Sequence, residues 1–183
     1  MKTTLNAIRD HHPCADGWKK LLANLGKTAA DDDPLSLITI LDSNGIDDAL
    51  WCLRAVYDHD KEIRLFAVWC ARQVRHLMTD QRSVAALDVA ERFANGDATK
   101  EELDAAWVAS GSAAMAASGS AARAAAMAAS GSAARAAARA AASAAAWTAW
   151  TAMDAASDAD RAAARAAQET KFREMLREIE AAE

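Results

Sequence analysis

The feature that most constrains the fold of this chain is an alanine-rich tract that runs from residue 105 to residue 167. More than half of its residues are alanine, and other residues recur in it every four positions. These are Trp107, Gly111, Met115, Gly119, Arg123, Met127, Gly131, Arg135, Arg139, Ser143 and Trp147. Alanine has the highest intrinsic helix propensity because its side chain loses no rotamer freedom in a helix. We therefore predict that the tract is helical.

The four-residue step argues against a single straight rod. An α-helix makes one turn in about 3.6 residues, so a residue repeated every four positions moves about 40° around the axis at each step. Glycine costs ~1 kcal/mol relative to alanine inside a helix. The Ser-Gly-Ser triplets at 110–112, 118–120 and 130–132 are therefore the predicted breaks. We predict a helical hairpin or small bundle, and the alternative is a low-complexity tract without regular structure.

The larger apolar side chains lie mostly before residue 104, and their spacing predicts helices there. The predicted helices cover residues 16–25, 34–44, 60–79 and 80–96, with another that begins at Ile46, whereas residues 1–13 are expected to be extended or loosely ordered. Asp33-Pro34 is interpreted as a cap with proline at the first helical position. The apolar run that follows can also be interpreted as a strand. Thr99 and Glu102 match a capping box that begins the helix entering the tract.

These patterns predict an all-α fold. Residues 1–98 form a compact helical core domain, residues 99–157 an alanine-rich helical repeat tract, and residues 158–183 a C-terminal amphipathic helix. The apolar stripe of that last helix consists of Phe172, Met175, Leu176 and Ile179.

Charge and cysteine content exclude several classes of function. The formal net charge is −5 and no polybasic segment occurs, so nucleic acid is not an expected partner. Cys14, Cys52 and Cys70 are an odd number without disulfide spacing, which indicates reduced thiols and a cytoplasmic protein. The first residues lack an apolar signal core. Arginines interrupt the alanine tract, so it is not expected to span a membrane.

Candidate binding residues lie on two of the predicted helices. Lys61, Arg64, Arg72 and Arg75 form a basic stripe on the helix predicted at 60–79. One interpretation is a solvated face, or ion pairs with the aspartates at 47, 48, 58 and 60. The other is an anion or partner site, in which guanidinium groups work with the rings of Trp69 or Trp51. Asp47 and Asp48 lie in the first turn of their helix, where the helix dipole favours carboxylates.

Residues for catalysis or metal binding are not evident in the sequence. His11 and His12 are adjacent, so they do not share a helical face, and no second ligand group with zinc spacing follows. Cys52 has no histidine placed to activate it and is interpreted as core packing. We find no Gly-rich phosphate loop. We therefore expect no enzyme activity, no cofactor and no metal.

Three segments carry a resemblance to a known family. They are LDSNGIDDALWCLRAV at 41–56, EIRLFAVWCARQVRHLM at 62–78 and SVAALDVAERFANGDATKEELDAAW at 83–107. Together they resemble a family of immunity proteins from bacterial and phage genomes, whose members tend to end in an alanine-rich tail with regularly spaced tryptophans and arginines. This chain carries Ser-Gly-Ser, Met and Arg at tract positions where tryptophan is common in that family. The resemblance supplies no catalytic residues.

Two functional hypotheses follow. The first is a cytoplasmic binding protein that neutralises a toxin or defence effector by direct contact, with an acidic surface that attracts a cationic partner. The second is a sponge or sensor for an anionic small ligand such as a nucleotide, held by Arg64, Arg72 or Arg75 with Trp69 or Trp51. Because alanine buries little area per residue, self-association of the tract into a dimer or larger oligomer is also predicted.

Overall fold

The computed structural model describes residues 1–118, 120–132, 137, 139–141, 143–144, 146–147 and 158–183. The predicted all-α fold is confirmed: the described elements are helices, with one sheet of two very short strands. The chain divides into two compact units. Unit 1 comprises Met1–His59 with Arg173–Glu183, and unit 2 comprises Asp60–Phe172. This division differs from the one expected from the sequence, which places boundaries at residues 98 and 157.

Unit 1 begins with structure that the sequence did not predict. Strand β1 (Lys2–Thr3) pairs antiparallel with β2 (Leu35–Ser36), and helix α1 (Leu5–Asp10) follows directly. The expectation that residues 1–13 are extended or loose is therefore wrong. Thr4 caps α1, since its hydroxyl accepts a hydrogen bond from the Ala7 amide at 3.1 Å. Met1, Leu5 and Ile8 are fully buried, so this segment belongs to the core.

Three further helices complete the first part of unit 1. They are α2 (Ala15–Leu25), α3 (Leu37–Asn44) and α4 (Ile46–Cys52), and a 3₁₀ turn covers Leu53–Ala55. Helix α2 ends as predicted at Gly26, which has a left-handed φ of 64°. The predicted cap at Asp33 is wrong. Ser36 caps α3 instead, since its hydroxyl accepts from the Ile38 amide at 3.1 Å, and the residues just before the helix pair as β2.

The end of the C-terminal helix (Asp158–Ala182) belongs to unit 1 from residue 173 onward. The predicted apolar stripe is confirmed, because Phe172, Met175, Leu176 and Ile179 are all buried. Polar contacts bind this segment to the first residues of the chain. Lys2 Nζ lies 2.8 Å from Glu183 Oε2, and Arg173 Nη1 lies 2.6 Å from Asp42 Oδ1.

Unit 2 contains α5 (Asp60–Arg72), a 3₁₀ turn (Arg75–Leu77), α6 (Gln81–Asn95), α7 (Lys100–Ala116) and α8 (Ser120–Ser132). Helix α5 is shorter than predicted because the backbone tightens into i→i+3 hydrogen bonds from Gln73 onward. The capping box of Thr99 and Glu102 is confirmed at the start of α7. Val68, Ala86, Ala90 and Leu103 form a core where α5, α6 and α7 meet.

Within the described residues the alanine-rich tract is helical except at Ala117 and Ser118, and the first predicted break is wrong. Helix α7 continues through residues 110–112, where the Ser110 hydroxyl donates to the Ala106 carbonyl at 2.7 Å within the helix. Helix α7 ends at Ala116, next to the second triplet, which begins at Ser118. Helices α7 and α8 then pack against each other through buried alanines. The predictions for residues 133–136 and 148–157 lie outside the described residues.

Candidate functional site

The predicted basic stripe is not a single exposed surface. Arg64 is only 2 % exposed, and its guanidinium carbon lies 5.1 Å from the centre of the Phe93 ring. Burial lowers the pKa of Arg64, while the charge of Asp60 acts in the opposite direction. The expectation that Arg64 lies on a solvated or ligand-binding face is therefore corrected: its cation packs inside unit 2 against an aromatic ring.

Arg72 and Arg75, unlike Arg64, are exposed. Arg72 at the end of α5 pairs with carboxylates of α6, at 2.5 Å from Glu91 Oε2 and 3.4 Å from Asp88 Oδ1. Arg75 lies beyond the end of α5, exposed in the 3₁₀ turn. Trp69 is half-buried and stacks on Phe66 with the ring centres 6.2 Å apart. These contacts use the residues for packing and ion pairing within unit 2.

The remaining predicted site residues lie on α4 in unit 1, where two of them line a cavity. This cavity has a volume of about 90 Å³, opens to the surface and is lined by residues of α1, α2, α3 and α4. Its walls include Trp18, Trp51, Ile8, Leu21 and Ile40, and its polar lining includes Asn44, Asp48 and the thiols of Cys14 and Cys52. We call it the Asp48 cavity. Asp47, in contrast, is exposed and does not line it.

Asn44 positions the carboxylate of the Asp48 cavity. Its Nδ2 donates to Asp48 Oδ2 at 2.8 Å and to the Gly17 carbonyl at 2.9 Å, so it joins α2 to α4. The Ser43 hydroxyl donates to Asn44 Oδ1 at 2.8 Å and fixes the orientation of the amide. Among the described residues, Asn44 is the one hydrogen-bond donor to this carboxylate, and it fixes the carboxylate's orientation.

Gly17 permits the close approach of the carboxylate to α2. A Cβ at this position would lie 2.8 Å from Asp48 Oδ2 and 3.1 Å from Cys14 Sγ. Any larger residue would push the carboxylate out of its place. Glycine lowers the helix propensity in the first turn of α2. It is nevertheless suitable here, because only a residue without a Cβ leaves room for the Asp48 carboxylate.

Trp51 is held in position by the neighbouring 3₁₀ turn. The guanidinium carbon of Arg54 lies 4.2 Å from the centre of the Trp51 ring, and Arg54 Nε donates to the Trp51 carbonyl at 2.8 Å. One face of this indole is therefore already covered by a cation, as expected for an electron-rich ring.

The buried thiol of the Asp48 cavity is poorly suited to nucleophilic chemistry. Burial, reinforced by the charge of Asp48 and opposed by that of Arg54, raises the pKa of the Cys52 thiol to about 12. Cys14 is exposed, and its sulfur accepts a hydrogen bond from the Gly17 amide at 3.4 Å as the cap of α2. The cavity therefore offers a fixed carboxylate and aromatic surface beside one protonated, buried thiol and one exposed thiol.

The sequence named Asp48 and Trp51 for separate reasons and missed Trp18, Asn44 and Gly17. The sequence pattern marks Asn44 only as the end of the helix predicted at 34–44, and Trp18 only as a member of the helix predicted at 16–25. Gly17 carries a signal, because a glycine inside a predicted helix costs ~1 kcal/mol relative to alanine and therefore indicates a packing reason for its presence.

Comparisons with protein-family models, curated proteins and solved structures give no match to this chain. Within the described residues, no three His, Cys, Asp or Glu side chains cluster as metal ligands. None of the described helices combines the length and the apolar character needed to cross a bilayer. The resemblance to immunity proteins therefore stays a prediction.

Proposed function

We propose that this chain is a non-catalytic binding protein of the immunity type, which neutralises a toxin or defence effector by direct contact. The observation that carries this proposal is the Asp48 cavity, in which two tryptophans and one oriented carboxylate line a recess whose buried thiol has a pKa of about 12. Interfaces are anchored by a few side chains that fill such recesses, with tryptophan, tyrosine and arginine prominent among them. The site is equipped to hold a group and has no evident means of converting it.

The charge and the cysteines support the same proposal. The formal net charge of −5 favours encounter with a cationic partner. Cys14, Cys52 and Cys70 are all free thiols, which is typical of reducing compartments, and we place the protein in the cytoplasm on that basis.

The alternative function, a sponge or sensor for an anionic nucleotide, receives less support from the geometry. It requires guanidinium groups that converge on a phosphate. Arg64 is buried against Phe93, and Arg72 is engaged by Glu91 and Asp88. A thermal-shift screen separates the two functions. A nucleotide that raises the midpoint of unfolding by mass action would favour the alternative, and our proposal expects no shift.

Affinity capture tests the proposed function directly. The tagged chain is expressed in cells that carry its gene, at low salt, beside the variants Trp18→Ala and Trp107→Ala. Trp18 lines the Asp48 cavity, whereas Trp107 lies on α7 and is 41 % exposed. We expect one protein to be enriched by the native chain and by Trp107→Ala, and its affinity to fall at least about 30-fold for Trp18→Ala, the loss typical of an anchor residue.

Circular dichroism and the unfolding midpoint confirm that both variants are folded. Recovery of nothing above background would contradict the proposed function. Equal capture by all three chains would move the binding surface away from the Asp48 cavity.

Self-association remains part of the proposal. Helix α7 presents three exposed large apolar side chains, Trp107, Val108 and Met115, beside a groove that Gly111 and Met127 also line. Such a surface is suited to a second copy of the same small-residue helix. Light scattering at micromolar concentration is expected to show a dimer or larger species, and Met115→Glu is expected to reduce it. A native chain that is monomeric under these conditions would refute the idea.

A further inference from the structure

We propose that the Asp48 cavity accepts the ammonium group of a lysine side chain presented by the partner. This assignment deepens the proposed function, and it names the chemistry of the group that the partner inserts. It depends on three features of the cavity: the free oxygen of its carboxylate, its aromatic walls and its size.

The carboxylate has one oxygen available. Oδ2 of Asp48 accepts from Asn44 and is packed against Gly17. Within the described part of the chain, Oδ1 accepts no hydrogen bond. A guanidinium group binds best as a fork that uses both carboxylate oxygens, whereas an ammonium group needs only one. The free Oδ1 therefore favours lysine over arginine.

The walls suit the rest of a lysine side chain. A cation near a tryptophan ring is stabilised by the ring quadrupole, and Trp51 already attracts the guanidinium of Arg54 at 4.2 Å. Trp18 offers a second indole. The apolar lining of Ile8, Leu21 and Ile40 can cover the methylene stem, as apolar surfaces do for buried lysine stems.

The size of the cavity is compatible with the end of that side chain. Its volume of about 90 Å³ has room for an ammonium group and the end of a methylene stem.

Among the residues that the structure describes, no lysine or arginine lines the cavity. Lys20 Nζ lies 3.4 Å from the Asn44 carbonyl oxygen and makes no ion pair with Asp48 among the described residues. Arg54 covers one face of Trp51 and donates to a backbone carbonyl. Both charges lie beside residues that line the cavity, Asn44 and Trp51, and weaken the binding of a third cation, so a small probe should bind only at millimolar concentration.

The test uses small probes and needs no partner. Butylammonium, butylguanidinium and 1-butanol are titrated into the native chain at low salt, and binding is followed by the indole N–H resonances in a ¹⁵N spectrum. We expect saturable shifts of the Trp18 and Trp51 resonances with butylammonium, weaker binding of butylguanidinium, and none with 1-butanol. The Trp107 resonance should not move.

A matched pair of variants isolates the carboxylate. Asp48→Asn should weaken butylammonium binding at least tenfold, while Asp47→Asn, which removes the same charge one residue away, should leave it within about twofold. Equal binding by the Asp48→Asn variant, tighter binding of butylguanidinium or 1-butanol, or shifts absent from Trp18 and Trp51 would each overturn the assignment. If Asp48→Asn does not fold, the native chain alone tests the assignment, through whether the butylammonium shifts occur at Trp18 and Trp51.

The two proposals fail separately. If the native chain does not bind butylammonium, the lysine assignment is wrong, but a captured partner would still support the binding function. If the chain binds butylammonium at Trp18 and Trp51 but captures no protein, the cation site is supported and the proposed function is contradicted.

Discussion

In unit 1 most of the fully buried positions are filled by leucine, isoleucine and methionine, whereas those of α8 are filled mainly by alanine. Leu5, Leu37, Ile40, Leu53 and Met1 are buried in unit 1, and Ala124, Ala125, Ala126, Ala128 and Ala129 are buried in α8. Burial of apolar area contributes about 25 cal/mol per Å², so each large side chain contributes much more than each alanine. Alanine instead lets two helix backbones approach closely.

The core of unit 1 and the alanine contacts of α8 are therefore sensitive to opposite changes in side-chain size. A core of large side chains is weakened by truncation, which leaves a cavity. A contact between small side chains is weakened by enlargement, because there is no side chain at the interface that can move aside. Both regions should exclude water, and this common property is the first to test.

The buried thiols report on the dryness of the two regions. Burial raises the pKa of Cys52 in unit 1 and of Cys70 in unit 2 to about 12, from an ordinary 9.0. Three pKa units reduce the thiolate fraction at pH 8 about a thousandfold, and only the thiolate reacts with a disulfide reagent. We expect one fast equivalent from exposed Cys14 and two very slow ones. Faster reaction of Cys70 than of Cys52 would show that the alanine-rich unit opens more readily.

The same shifts predict how stability depends on pH. In the unfolded chain these thiols ionise near pH 9, while in the folded chain they keep their protons up to about pH 12. The folded state therefore binds more protons in this window, and its stability falls as the pH rises from 9 to 12. Urea denaturation at several pH values measures this slope, and a Cys52→Ala variant should reduce it.

Truncation should weaken unit 1 strongly. Leu53 is 1 % exposed, and Leu53→Ala is expected to reduce the free energy of unfolding by about 3 kcal/mol, because the lost transfer free energy adds to the cost of a cavity. The control is Tyr57→Ala, at a position that is 71 % exposed, and it should change stability by less than about 0.5 kcal/mol. Urea denaturation measures both. A Leu53→Ala loss as small as that of the control would mean that unit 1 collapses around the gap.

Enlargement should weaken the alanine-rich region, and two glycines provide the matched pair. A Cβ on Gly131 would lie 2.9 Å from Ser143 Cβ and 3.1 Å from the Ala144 backbone nitrogen, so Gly131→Ala is expected to cost about 1–3 kcal/mol. A Cβ on Gly111 meets only Ser130 Oγ, at 3.6 Å. Gly111→Ala should therefore gain up to ~1 kcal/mol from helix propensity. Stabilisation by both substitutions would show that the close contact at Gly131 is absent in solution.

The parts of this fold that the sequence predicts are those set by neighbouring residues. The capping box at Thr99 and the glycine that ends α2 each depend on a few consecutive positions. The buried stripe of the C-terminal helix likewise follows from its own spacing.

The parts that the sequence does not predict depend on contacts with distant residues. Residues 2 and 3 form a strand because β1 pairs with β2, which lies more than thirty positions further along the chain. Arg64 is buried because Phe93, on another helix, covers it. The Asp48 cavity requires Gly17 and Asn44 to meet, and no local pattern predicts that pairing. Tertiary packing overrides local propensity at each of these places.

The smallest expected difference concerns helix capping, where the two regions should behave alike. The Thr4 hydroxyl accepts from the Ala7 amide at 3.1 Å in unit 1, and the Thr99 hydroxyl accepts from the Glu102 amide at 3.2 Å in unit 2. Each Thr→Ala substitution should cost about 1 kcal/mol, measured by urea denaturation, because each leaves one amide at the helix start without its acceptor. A cap satisfies backbone amides and does not contact the core, so the size of the core side chains should not change the cost of losing it. A loss at Thr99 several times that at Thr4 would mean that α7, with its small side chains, depends on its cap to form at all.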